Sequence, residues 1–170
     1  KLKKRLQKFL IKKMQSKLNK IAKDTDFFLK SFIKKQKKSE LIVPMKYGLF
    51  SGGKKVRSKI LIDAGSIFKI DYKTLIMIGS AIECIHAYSL IHDDLPCMDN
   101  DTIRRGKPST HIKFGEASAV LAGSSLLTLA FEIISDKKYL LNSKMKNEIV
   151  RSLAYSSGHT GIAGGQELDL

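Results

Sequence analysis

Thr74-Leu-Ile-Met-Ile-Gly-Ser-Ala-Ile-Glu-Cys-Ile-His-Ala-Tyr-Ser-Leu-Ile-His92 is apolar nearly all the way around a helical wheel. A helix that is hydrophobic on every side belongs at the centre of a bundle, not on its surface. The residues that follow are of the opposite kind. Asp93, Asp94 and Asp99 put three carboxylates within seven positions, and Arg104-Arg105 come five residues later. Carboxylates at that density repel one another, and little is gained by setting them beside a core segment unless a cation joins them. Hard oxygen ligands suit Mg²⁺, which takes one or two carboxylates and completes its shell with water and phosphate oxygens. Paired arginines suit diphosphate, because the guanidinium fork binds it bidentately. The segment therefore reads as a Mg²⁺–diphosphate site. His86, Ser89 and Asp93 lie on one face of the preceding helix, giving it a polar stripe. Pro96 must end or loop the helix so that Asp99 returns to the same cation.

Upstream, Gly52-Gly53-Lys54-Lys55-Val56-Arg57 is a second candidate for anion binding. Glycines permit close backbone approach, and the N-terminus of the next helix favours phosphate. Lys54 and Arg57, three residues apart, face the same way. His92 and His159 read as ordinary histidines, whereas His111 follows the site loop.

Helical spacing recurs along the rest of the chain. Leu2, Leu6, Phe9, Leu10, Met14 and Leu18 define an amphipathic first helix with lysines on its other face. A second helix is expected over 25–36, with Pro44 breaking the pattern. Residues 45–50 lead into the turn at 51–53. Further helices are expected over 54–70, 74–92, 117–135 and 143–156, with 95–110 as a loop. Gly158, Gly161, Gly164 and Gly165 precede Gln166-Glu167-Leu168-Asp169-Leu170. Strand alternation persists nowhere, so the expected fold class is all-α, in one domain spanning 1–170.

At 170 residues and 43% hydrophobic, the chain can bury a substantial core. Cys84 and Cys97 have neither zinc nor redox spacing, and without a disulfide framework a reducing, cytoplasmic setting is expected. Uncharged apolar runs of 18 residues are missing, so no membrane span is expected, nor is a signal peptide. The net charge of +15 is concentrated at one end. Residues 1–50 hold 16 Lys+Arg against 3 Asp+Glu, whereas 51–170 hold 15 against 13. We read the lysines as a solvated helix surface. The alternative, an electrostatic footprint for nucleic acid or an anionic membrane, is not expected from the sequence, because aromatic interleaving and a recognisable nucleic-acid motif are both lacking.

GGKKVR (52–57), IECIHAYSLIHDDLPCMDNDTIRRGKPSTHIKFGEASAVLAG (82–123) and GGQELDL (164–170) resemble the trans-prenyl diphosphate synthases, in particular the bacterial-type farnesyl and geranylgeranyl diphosphate synthases. The resemblance runs from about Tyr47 to Leu170. It implies a helical bundle of the isoprenoid synthase type around a deep apolar cavity, and a homodimer. The implied activity is condensation of isopentenyl diphosphate with an allylic diphosphate, dimethylallyl or geranyl, to farnesyl diphosphate. Geranylgeranyl diphosphate is the alternative product, and a non-catalytic partner subunit the alternative role.

By resemblance, Asp93 and Asp99 would ligate Mg²⁺ with Asp94 in support, and Arg104 would bind the allylic diphosphate. Lys54, Arg57, His86 and Arg105 would hold isopentenyl diphosphate. Gln166 and Asp169 would line the allylic side, with Asp169 approaching the metal. Lys55 and Lys107 stand close to these positions. Product length in the family depends on side chains just upstream of the first aspartate. Tyr88 lies about 7.5 Å deeper along the helix and would floor the cavity. The chain departs from the family at Ser58, where proline is usual and where a small effect is expected. It departs again in length: members are nearly twice as long and carry a second aspartate-rich motif. A fragment or a truncated product is expected on that ground.

Overall fold

The structure is a computed structural model that describes residues 2–139 and 141–170, with the side chains of Leu2 and Lys4 outside the description. Eight helices carry almost all of the order: α1 (Leu2–Lys34), α2 (Ile42–Leu49), α3 (Val56–Ile67), α4 (Tyr72–Asp93), α5 (Thr110–Phe114), α6 (Glu116–Ser135), α7 (Ser143–Ser157) and α8 (Ile162–Asp169). A two-residue hairpin, β1 (Ile103–Arg104) with β2 (Lys107–Pro108), interrupts them. The all-α expectation holds.

Helix α4 is the axis. Asp71 caps it by accepting from the Thr74 amide at 3.0 Å. Its buried side chains point in several directions, among them Leu75, Met77, Ala81, Cys84, Ala87 and Ile91. Helices α1, α2, α3 and α6 pack against it. The packing against α6 is close because α6 presents small residues there: Ala119, Ala122, Gly123 and Ala130 are buried. Leu126, Ile133 and Ile134 then fill the space between, fully buried. On the other side, Ser58 of α3 donates its hydroxyl to the Gly79 carbonyl at 2.9 Å. The absence of a side chain on Gly79 allows that approach.

Three local expectations are revised. The two N-terminal helices are one, since no glycine or proline interrupts residues 1–43 and Ile21 and Thr25 carry the buried stripe across the gap. Pro44 does not break a helix; it sits in the first turn of α2, where its missing N–H has no partner to lose. The 95–110 segment contains the hairpin, whose Arg105-Gly106 turn has positive φ at both positions (56° and 75°). That is the turn whose twist suits a two-residue connection. The glycine-rich tail winds into α8.

By length and composition α4 and α6 would each cross a bilayer. Charged residues interrupt both runs, and core helices of a bundle meet the same test. Here the two helices pack on each other.

Adding a methyl group at Gly123 would drive into the His92 ring, which is bonded to the Val120 carbonyl at 3.0 Å. Gly123→Ala is expected to destabilise the chain by about 1–3 kcal/mol, read as a lower urea midpoint.

Candidate functional site

Two clusters of opposite charge meet at the C-terminal end of α4. The first is a cleft of about 90 Å³ between the 51–57 segment and α4, with Lys54, Arg57, His86 and Arg105 in its lining. Left-handed backbone at Gly52, Gly53 and Lys55 (φ 103°, 108° and 49°) turns the chain sharply into α3. The two lysines consequently diverge. Lys54 lines the cleft, whereas Lys55 is 7% exposed and points inward. The Lys55 ammonium lies 3.8 Å from Glu83, 3.6 Å from Asp26 and 3.1 Å from the Leu49 carbonyl. Glu83 also accepts from the Ser58 amide at 3.3 Å. A proline at 58 could not make that bond, so the departure from the family pattern adds an interaction on this buried acid.

Arg57 Nη1 lies 3.2 Å from His86 Nε2. For the guanidinium to donate, that nitrogen must carry no proton. Burial, followed by the charges of Arg57 and Arg105, pushes the His86 pKa down from 6.5 to about 4. Arg105 donates to the Gly52 carbonyl. With Glu83 engaged by Lys55, the cleft offers three cations and no free carboxylate among the described residues, a field that suits a small polyanion.

The second cluster is acidic. Asp93 ends α4, and the loop after it folds back: the Asp99 amide donates to the Asp93 carbonyl at 3.0 Å. Asp99 is exposed beside Asp93. Burial and then the Asp99 charge push the Asp93 carboxyl above its ordinary range; a bond from Gln166 and the charge of Arg104 oppose the shift. The Gln166 amide donates to Asp93 Oδ1 at 2.6 Å across 73 residues of sequence. Arg104 Nε donates to Asp94 at 2.8 Å, with its Nη2 on the same oxygen. Arg104 Nη2 also lies 3.6 Å from Asp93 and 3.4 Å from Asp101.

Most of the expected residues thus assemble. Lys54, Arg57, His86 and Arg105 share one cleft; Asp93, Asp99, Arg104 and Gln166 share the other site. Three expectations change. Asp94 is 2% exposed and ion-paired, so it anchors Arg104 and offers no face to a ligand. Asp169 is exposed, one turn past Gln166 on α8, and among the described residues no three His, Cys, Asp or Glu side chains form a ready metal cage, so Asp169 completes none with Asp93 and Asp99. Tyr88 is half-buried, edge-on to His92 with ring centroids 5.2 Å apart. It does not line the apolar groove of about 510 Å³ that runs along α4, α7 and α8 past Ile78, Ile82, Ile85, Leu153 and Ile162. Sequence reasoning missed that groove wall and the Asp26–Lys55–Glu83 brace. The one available signal for the brace was Glu83 itself, an acid inside an otherwise apolar run. His111 is buried on α5, 3.3 Å from the Ser109 hydroxyl, behind the hairpin.

The sequence pattern of the family described as Polyprenyl synthetase matches residues 38–170. The chain belongs to the polyprenyl synthetase family. Among its relatives, the farnesyl diphosphate synthase of Buchnera aphidicola subsp. Acyrthosiphon pisum is 50% identical over 134 residues, covering 78% of this chain and 48% of the relative. The farnesyl diphosphate synthase of Escherichia coli is 47% identical over 131 residues, 76% of this chain and 44% of that protein. The crystal structure of a geranyltransferase from Legionella pneumophila superimposes with a TM-score of 0.88 at 37% identity, covering 93% of this chain and 56% of that one. The fold is accordingly that of the family's helical bundle, and the chain spans about half the length of the curated relatives it matches.

His86 supplies a pH test. Its folded pKa of about 4 lies below the unfolded 6.5, so the neutral ring contributes stability above pH 6.5 that is lost as pH falls towards 4. Urea unfolding between pH 7 and pH 4 should show that loss, and His86→Gln should flatten it.

Proposed function

We propose that this chain carries the two diphosphate sites of a short-chain trans-prenyltransferase that condenses isopentenyl diphosphate with dimethylallyl or geranyl diphosphate. The observation that carries this reading is the divergence of two adjacent arginines. On one hairpin, Arg104 turns to the acidic cluster while Arg105 turns to the cationic cleft. Two diphosphates held on these sites would be neighbours, as a condensation between their prenyl groups requires.

The residues fit Mg²⁺. Asp93 and Asp99 offer adjacent hard oxygens, burial and then the Asp99 charge raise Asp93, and the ion needs few protein ligands when phosphate supplies the others. When bound, Mg²⁺ supplies charge neutralisation to the leaving diphosphate. The protein does the rest. Arg104, tethered by Asp94, adds positive charge beside the same leaving group. Lys54, Arg57 and Arg105 hold isopentenyl diphosphate, and neutral His86 orients Arg57. Gln166 fixes one Asp93 oxygen, and the other lies on the Arg104 side. The allylic C–O bond breaks, the isopentenyl double bond attacks the allylic carbon, and the proton lost passes to the departed diphosphate. The apolar groove beside α4 keeps water from the cation and takes the growing chain.

Farnesyl diphosphate is the product this reading favours, with geranylgeranyl diphosphate as the longer alternative. Calorimetry should find Mg²⁺-dependent binding of geranyl diphosphate, weakened by about tenfold or more in Asp93→Asn, with loss of a charge-assisted contact. Equal binding without Mg²⁺ would overturn the assignment. Arg57→Ala should weaken isopentenyl diphosphate and spare the allylic substrate. In catalytically active protein, Ile85→Ala in the groove wall should lengthen the product and Tyr88→Ala should leave it unchanged; lengthening by Tyr88→Ala alone would return the chain stop to Tyr88.

A further inference from the structure

We propose that the N-terminal half of α1 lies on the surface of an anionic lipid bilayer, inserting Leu6, Phe9, Leu10 and Met14 while the surrounding lysines meet the headgroups. These four side chains are between 49% and 63% exposed. Every described side chain from Arg5 to Lys17 is exposed. The helix first meets the bundle through the Lys17–Asp63 ion pair at 2.7 Å and the Lys20 ammonium over the Tyr72 ring. Its buried residues begin at Ile21. The preceding four turns, about 22 Å of helix, therefore have an apolar side that no other described residue covers.

At about 100° per residue, Leu10 and Met14 continue through half-buried Leu18 into the face that packs on the bundle, and Leu6 and Phe9 flank that face ahead of Lys17, where the bundle no longer covers it. The whole helix also lies ahead of residue 38, where the family match begins.

Charge selects the occupant. Residues 1–20 contain eight lysines, one arginine and no acid; Asp24 is the first carboxylate of the chain. A second copy of this helix would bring the same charge with nothing to pair it, and residues 51–170 are themselves slightly basic. Nucleic acid would meet the lysines but leave the leucines, Phe9 and Met14 in water. An anionic bilayer satisfies both faces at once. Apolar side chains enter the headgroup–acyl boundary, and lysines reach the headgroups along their flexible stems. Each lysine near such a surface adds an attraction that salt screens.

The test is flotation of the full chain with vesicles. We expect binding to phosphatidylcholine containing about a quarter phosphatidylglycerol at about 0.1 M salt, little binding to pure phosphatidylcholine, and release at about 0.5 M salt. Replacing Leu6, Phe9 and Leu10 together by Gln, an exposed and helix-compatible change, should weaken vesicle binding by about tenfold or more with helicity and unfolding midpoint unchanged. Absence of binding by the native chain overturns the proposal, as does undiminished binding by the triple variant. Two further results also overturn it: loss of self-association in the variant, seen by sedimentation, with vesicle binding intact, or tighter binding of duplex nucleic acid than of anionic vesicles at equal salt.

Discussion

A charge taken out of water must be compensated where it stands, and two acids on α4 impose that requirement on everything around them. Glu83, 3% exposed, draws in Lys55 and the Ser58 amide. Asp94, 2% exposed, draws in Arg104. The first pairing holds the glycine turn and the start of α3 against α4. The second holds the hairpin against its end. Both anion-binding elements are thereby referenced to one helix, and that helix is fixed by apolar packing against α1, α2, α3 and α6.

The two pairings also explain the division of labour among neighbours in sequence. Of Lys54-Lys55, one cation is used as a brace and the other remains for the cleft. Of Asp93-Asp94, one carboxylate is used as an anchor and the other remains for the site. Arg104-Arg105 repeat the pattern, with Arg104 on the acidic side and Arg105 on the basic side. In each case a buried or tethered member sets the direction of its exposed partner. Preorganisation of this kind lets charged side chains act without reorganising when a ligand arrives.

Much of the helical order was legible because apolar periodicity and buried-helix composition are local properties. The boundaries of α4, α6 and α7 differ from expectation by a residue or two, as helix ends usually do. The errors arose where local signals were weak or misleading. Residues 19–24 look polar, yet Ile21 carries α1 through them. Pro44 looks like a breaker, yet a first-turn proline loses no hydrogen bond. Gly164-Gly165, for which the sequence offered no assignment, lie inside α8. For the site, the charged motifs announced their chemistry directly, because few functions other than cation and phosphate binding place aspartates and arginines so densely.

By itself, the sequence determined that the chain is all-α, that α4 lies at its centre, and that a carboxylate–arginine segment and a GGKKVR turn bear its chemistry. These follow from residue type and spacing along one element. Only the tertiary structure decided which member of each charged pair faces the ligand, that Gln166 reaches back to Asp93, and that Ile78, Ile82 and Ile85 wall a groove that Tyr88 does not line. Such choices depend on which side chains become buried when distant segments pack, and burial is what converts a charged residue from a ligand into an anchor.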